Sequence, residues 1–382
     1  MQSKHAHANS EKRLGGHPVW RVALALVALA ALGVGVGALV HGSGPGASAS
    51  ASGGASKAQP LKVLSVSPAT GSSGVPSDAT ISVQFSATLD PHTPTPTLTP
   101  PVAGSWELLT PTTLAFVATS PLVPSTTETI SVPAGAGGVK SATGIRLDVA
   151  SSTQFTVASG STLRLQQLLA QLGYLPLSFT PAGPLTAPQE AAEPQEGTFA
   201  WRWSEPASLE GLWSPGNANE ITRGAVMAFE SNHNLTTDGD AGPQVWTELL
   251  ADAAAGTVNT APYNYVLVSE AEPENVTVYS DGSPVYNTLA NTGVAAAPTA
   301  QGTFPVYARY TVTTMSGTNP DGSHYVDPGI PWVSYFNGGD ALHGFVRPGY
   351  GYPQSDGCVE MPIANAAVVF PLTPIGTLVT VA

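Results

Sequence analysis

The chain scatters 40 glycines and 35 prolines through 382 residues. Proline in a helix interior removes a hydrogen bond and clashes with the preceding turn. Glycine loses the most backbone entropy on ordering. Long helices are therefore excluded over most of the sequence, and short strands joined by many turns are expected. Only 10% of the residues are charged, so a helical bundle with charged outer faces is excluded as well. The 13 basic and 26 acidic residues leave a formal charge of −13, the opposite of the basic footprint that binds nucleic acid. A single cysteine, Cys358, rules out an intramolecular disulfide. It is a reactive thiol, an intermolecular link or a small buried hydrophobe, and composition leaves the three open.

The N-terminal region reads as an export device. Val22 to Val40 are 19 uncharged, mostly apolar residues, close to the roughly 20 that a membrane-spanning helix needs. Lys4, Lys12, Arg13 and Arg21 precede them, and no Lys or Arg follows until Lys57. That asymmetry places residues 1–21 in the cytoplasm and everything after the apolar stretch outside the membrane. The competing reading is a cleavable signal peptide with Ala47-Ser48-Ala49 as the processing site. Both readings export the rest. Residues 41–60 are mostly Gly, Ser and Ala, the composition of a flexible linker.

Residues 61–159 contain short alternating runs: 62–66, 80–85, 113–116, 129–132 and 154–157. Turn clusters such as Pro68-Ala69-Thr70-Gly71 separate them, which predicts a β-sandwich. The segment resembles bacterial immunoglobulin-like modules, including the opening Val-x-Pro-x-x-Gly from Val66 to Gly71.

Residues 160–255 change period. Leu163, Leu165, Leu168, Leu169 and Leu172 recur at helical spacing before Gly173, and 222–230 reads as a second amphipathic helix. The run Leu235 to Leu250, with its Asp-Gly and its Gly-Pro-x-x-Trp, resembles the second half of small helical peptidoglycan-binding domains. About 40 residues stand between the first helix and the rest, among them Trp201, Trp203 and Trp213. Exposed, these rings would stack on sugars; buried, they would enlarge the core.

Residues 262–382 return to β patterning, with strands expected at 263–268, 276–279, 303–308 and 377–381 in a mostly antiparallel domain. The chemistry concentrates in Ala341-Leu342-His343-Gly344 and Ser355-Asp356-Gly357-Cys358-Val359-Glu360-Met361. A thiol is a weak nucleophile until a base takes its proton, and a histidine within hydrogen-bond reach does this. His343 lies 15 residues before Cys358, across a loop containing Pro348, Gly349, Gly351 and Pro353. The N–H groups of Gly357 and Cys358 are the expected oxyanion donors, because glycine lets backbone approach closely. Ser355 is expected to brace the turn. A lone cysteine and the scattered His324 and His343 do not form a zinc site, and neither metal nor cofactor is expected.

These residues resemble the signature of the YkuD-type L,D-transpeptidase catalytic domain: His-Gly, a loop, then Ser-His-Gly-Cys and a hydrophobic residue. Residues 297–304 and Gly329 to Gly339 are similar to the family's upstream segments. The fold class that follows is mainly β, with an Ig-like sandwich, a small helical module and a β-rich catalytic domain. The resemblance implies Cys358 as nucleophile, His343 as base and the Gly344 carbonyl as the anchor of the His343 ring. It further implies attack on the diaminopimelate–D-Ala bond of a tetrapeptide stem, a thioester, and transfer to a second stem's amine. Water as acceptor would give a carboxypeptidase. Ser355, Asp356, Tyr335 and Phe336 are expected on the substrate side. Two positions depart from the pattern: Asp356 replaces the usual His, and Glu360 follows Cys-Val. Both carboxylates disfavour a thiolate. Three outcomes follow: Asp356 faces solvent, Asp356 attracts the acceptor ammonium, or the site is attenuated and the protein is chiefly a wall-binding scaffold. Arg347 would offset one charge if the loop folds back.

Overall fold

The computed structural model describes residues 59–319 and 321–382. The apolar stretch 22–40 lies outside them. Among the described residues no helix is long and apolar enough to cross a membrane.

The first domain is a sandwich. β1 (Val63–Ser67), β2 (Ile81–Phe85), β4 (Gly104–Thr110) and β5 (Thr113–Ala118) form one sheet, ordered β1-β2-β5-β4. β3 (Thr97–Thr99), β6 (Thr127–Val132) and β7 (Ser151–Thr156) form the other, ordered β3-β6-β7. Alternate residues of β2 (Ile81, Val83, Phe85) and of β6 (Ile130, Val132) point inward and meet Leu114 and Phe155 in one core. This is the period-two patterning that singled out those runs.

Three main helices build the next unit: α1 (Thr162–Gln171), α3 (Glu220–Asn232) and α4 (Pro243–Ala255), with a single turn, α2 (Ala207–Glu210), before α3. Ser161 caps α1 by accepting from the Arg164 N–H, and Gly173, at φ +79°, provides the left-handed residue that ends it. Pro243 opens α4 and Gly256, at φ +69°, closes it. The residues between α1 and α3 fold into a hairpin of β8 (Leu177–Pro181) and β9 (Gly197–Trp201). Phe199 of that hairpin meets the Trp213 ring edge-on, at 5.1 Å between centroids. Trp201 and Trp213 pack against the core, and Arg202 covers the Trp203 ring. Trp201 and Trp213 of the insertion thus serve packing.

The C-terminal unit has two sheets. One is ordered β12-β11-β10-β18-β13, from β10 (Asn264–Ser269), β11 (Asn275–Ser280), β12 (Ser283–Leu289), β13 (Gly302–Pro305) and β18 (Leu378–Val381). The other is ordered β14-β15-β16-β17, from β14 (Ala308–Thr318), β15 (His324–Asn337), β16 (Asp340–Gly344) and β17 (Val359–Met361). Val266, Val278, Val379, Phe336, Leu342 and Val359 fill the space between them, together with α5 (Ile363–Val369). Pairing is mostly antiparallel, but β10 with β18 and β16 with β17 run parallel.

The helical unit does not sit on a separate core. Tyr265 of β10 and Leu378 of β18 belong to the same buried cluster as Leu168, Phe229 and Trp246. The Tyr265 hydroxyl also hydrogen-bonds Ser208 Oγ at 2.8 Å. At Gly224 of α3 an added methyl would stand 2.5 Å from the Gly376 carbonyl oxygen, so glycine permits the helix to press onto the sheet. Trp246 is 2% exposed and lies so close to Gly160 that a Cβ there would overlap its ring. Trp246→Ala should therefore lower unfolding free energy by about 3–5 kcal/mol, read from urea denaturation followed by circular dichroism. A loss under about 1 kcal/mol would show that this ring does not organise the shared core.

Candidate active site

Parallel strands require the chain to return to the end it left, which takes a crossover of roughly a dozen residues. Residues 345–358 make that crossover between β16 and β17. The register pairs Leu342 with Val359, His343 with Glu360 and Gly344 with Met361. Leu342 and Val359 enter the core. Alternation then turns Ala341, His343, Cys358 and Glu360 to the opposite face. There His343, Cys358 and Glu360 line one cavity of about 260 Å³.

Asn291, fully buried, sets the crossover's shape. Its side-chain amide donates to the Gly349 carbonyl at 3.0 Å, and its Oδ1 accepts from the Gly351 N–H at 3.0 Å. Its backbone exchanges both hydrogen bonds with Glu360. Ser355, 1% exposed, accepts from the Gly357 N–H at 3.2 Å and donates to the Cys358 carbonyl. Ser355 thus braces the turn that carries Cys358, and it is buried, against its expected place on the substrate side. The same bond occupies the Gly357 N–H, so of the two expected oxyanion donors that one is engaged within the turn. Gly357 itself has φ +109°, and a Cβ there would sit 2.7 Å from Asp340 Oδ1. Both facts require glycine at this position.

His343 is 3% exposed, and its Nδ1 lies 3.1 Å from the Gly344 carbonyl oxygen. A carbonyl only accepts, so Nδ1 carries the proton and Nε2 the lone pair. The Phe345 ring stands edge-on to the imidazole. Burial holds the His343 pKa below its ordinary 6.5, which keeps the ring neutral. Cys358 is half-buried, and its Sγ points to the Gly339 carbonyl at 3.6 Å. No hydrogen bond joins it to His343 among the described residues. Burial pushes the thiol up to about 12; a backbone hydrogen bond at Ala341 works against this, and the carboxylates of Asp340, Glu360 and Asp356 add to it.

The two departures from the family pattern part company. Glu360 is buried, and Arg347 grips it through two bonds, Nε to Oε2 at 2.6 Å and Nη2 to Oε1 at 2.8 Å. The crossover does fold back, and this carboxylate is neutralised by a fork-to-fork pair. The guanidinium also lies over the Phe345 ring, 4.7 Å from its centroid. Asp356 is exposed at the cavity rim, where water and salt blunt its field.

Tyr335 and Phe336 are neighbours on β15 and so face opposite ways. Tyr335 packs beside Cys358 in a small cluster with Tyr325 and Met315. Phe336, 3% exposed, faces the inter-sheet core near Phe304, so its expected place on the substrate side is corrected to a core role. Met315, Tyr325, Asp327 and Ile330 of the β14–β15 hairpin also line the cavity, as does Gln354. None of these was singled out in the sequence. The alternation in Tyr325-Val326-Asp327 is the one signal that bears on them.

Residues 263–381 match the family model described as the L,D-transpeptidase catalytic domain (YkuD), and residues 57–157 match the bacterial Ig-like domain. The C-terminal unit is thus similar to an L,D-transpeptidase catalytic domain, and the first domain to a bacterial Ig-like domain. No curated protein matches the chain. Solved structures that resemble it include the catalytic domain of an Enterococcus faecium L,D-transpeptidase (26% identity, 32% of this chain, 100% of that one, TM-score 0.29). An L,D-transpeptidase from Mycobacterium smegmatis has 13% identity over 85% of this chain and 100% of its own, with a TM-score of 0.28. L,D-transpeptidase 3 from Mycobacterium tuberculosis has 14% identity over 84% of this chain and 98% of its own, with a TM-score of 0.29.

Removing Arg347 would strand the buried Glu360 charge. Arg347→Met should cost roughly 2–4 kcal/mol, toward the low end for a buried pair because the guanidinium is partly solvated. Adding Glu360→Gln should restore most of that loss. Thermal unfolding of both variants checks this, and equal instability of single and double variants would show that the ion pair is not the cause.

Proposed function

We propose that the protein is an exported L,D-transpeptidase that joins peptidoglycan stems through a thioester on Cys358. The single observation that carries this reading is the shared cavity of His343 and Cys358, with the imidazole tautomer set by Gly344. Residues 22–40 would supply the membrane anchor or export signal, leaving the catalytic domain in the wall zone.

In the proposed reaction the carbonyl of diaminopimelate in a tetrapeptide donor reaches Cys358 from the cavity. Rotation of the thiol about its Cα–Cβ bond, between staggered wells, brings Sγ from Gly339 toward Nε2 of His343. Catalytic hydrogen bonds commonly tighten only once substrate is bound. His343 takes the thiol proton as sulfur attacks, and the Cys358 N–H faces the developing oxyanion. Collapse expels D-Ala, whose amine receives that proton from His343, and leaves the thioester. A neighbouring stem's amine then attacks, loses its proton to His343 and forms the cross-link, freeing the thiol. Exposed Asp356 would draw the acceptor's ammonium to the rim, while Tyr335 flanks the thiol.

A second reading has one observation in its favour. Sγ rests on Gly339 and not on His343, and its pKa is raised. An attenuated, wall-binding scaffold would look the same. The experiment incubates the soluble region with tetrapeptide-bearing muropeptides and follows products by mass spectrometry. Release of D-Ala with cross-linked dimer is expected, and Cys358→Ala should abolish both, a loss of at least about a thousandfold. D-Ala release without dimer would assign water as the acceptor. Neither product from folded protein would favour the scaffold.

A further inference from the structure

A second cavity lies away from the thiol. About 690 Å³ opens between the Ig-like domain and the helical unit, bounded by Pro121 and Val123 on one side and Leu250, Ala254 and Val258 on the other. Its walls are mainly apolar. One cation stands in it: Arg164 of α1, 3% exposed, lines the cavity. The guanidinium donates through Nε to the Ala191 carbonyl at 2.9 Å and through Nη1 to Gln167 Oε1 at 3.4 Å. Both acceptors are neutral. No carboxylate pairs with it among the described residues. Burial lowers its pKa, and no nearby acid raises it.

A buried guanidinium without a counter-charge is costly, and proteins rarely leave one so. Its fork of donors matches a carboxylate. The cavity wall adds amide and hydroxyl side chains, Ser120, Gln171 and Gln195, of the kind that pair with peptide N–H and C=O groups. A simple hydrocarbon chain would leave those groups unsatisfied. Small walls at Ala251 and Ala254 suit small side chains. We propose that this cavity binds the free C-terminal carboxylate of a short peptide with small side chains, Arg164 holding the carboxylate. The site is separate from the Cys358 cavity and does not depend on the proposed reaction.

The test uses the whole soluble region and N-acetylated trialanine in all-L and all-D forms, each as free acid and as C-terminal amide. Binding is followed by calorimetry and by shifts in amide NMR signals. The free acid of at least one hand should bind at least tenfold more tightly than its amide. Arg164→Gln should weaken it at least tenfold. Should that variant unfold, Ala254→Trp provides the second arm: Ala254 is exposed, so the fold tolerates the ring while the cavity fills. It should abolish binding with circular dichroism unchanged. Equal binding of acid and amide, binding that survives Ala254→Trp, or no binding by either hand would overturn the proposal. So would tighter binding of dodecanoate than of any peptide, which would make the occupant a fatty acid.

Discussion

The in-register parallel pairing of β16 with β17 is the constraint on which the site rests. It turns Leu342 and Val359 into the core and so compels His343 and Cys358 to the other face. A slip of one residue would exchange the two sets. The pairing also demands the long crossover, and the crossover brings the Arg347 partner for Glu360, the brace from Ser355 and the left-handed Gly357. Asn291, on the chain that follows β12, ties the middle of the crossover to β17. Core packing and the placement of the reactive groups are thus one arrangement.

Electrostatics then define the resting state. His343 is neutral because it is buried, and the Cys358 thiol is protonated for the same reason. Arg347 cancels Glu360 locally, and Asp356 sits in water. The pair therefore differs from a preformed thiolate–imidazolium. Nucleophilicity in the proposed reaction comes from transfer of a proton when the donor arrives. This suits a thiol that would otherwise be open to oxidants.

Much of this is legible in the sequence. Period-two runs at 80–85, 129–132 and 276–279 become inward-facing strands because one face of each is buried, and Gly173, Pro243 and Gly256 mark helix ends for reasons of backbone geometry alone. His343 and Cys358 are visible from residue type and spacing. Three things are not. The hairpin of β14 and β15 has exposed positions on both faces, so the short alternation at Tyr325-Val326-Asp327 does not mark which face meets the site. The burial of Phe336 in the core and the place of half-buried Tyr335 beside Cys358 depend on which face of β15 meets the core, which only pairing decides. The union of the helical unit and the C-terminal sheet through Tyr265 and Leu378 is a tertiary contact that composition does not mark. Residue type puts Ser355 and the Gly357 N–H in the right turn, but their mutual hydrogen bond depends on the folded backbone.

Everything proposed for the chemistry depends on Cys358 resting as a protonated thiol. Because it is the only cysteine, its alkylation by iodoacetamide can be followed by intact mass. The rate should rise about tenfold per pH unit through pH 10 without levelling, as thiolate fraction does below its pKa. A plateau beginning below about pH 8 would mean that the thiolate is already formed near neutrality, which a protonated resting state forbids.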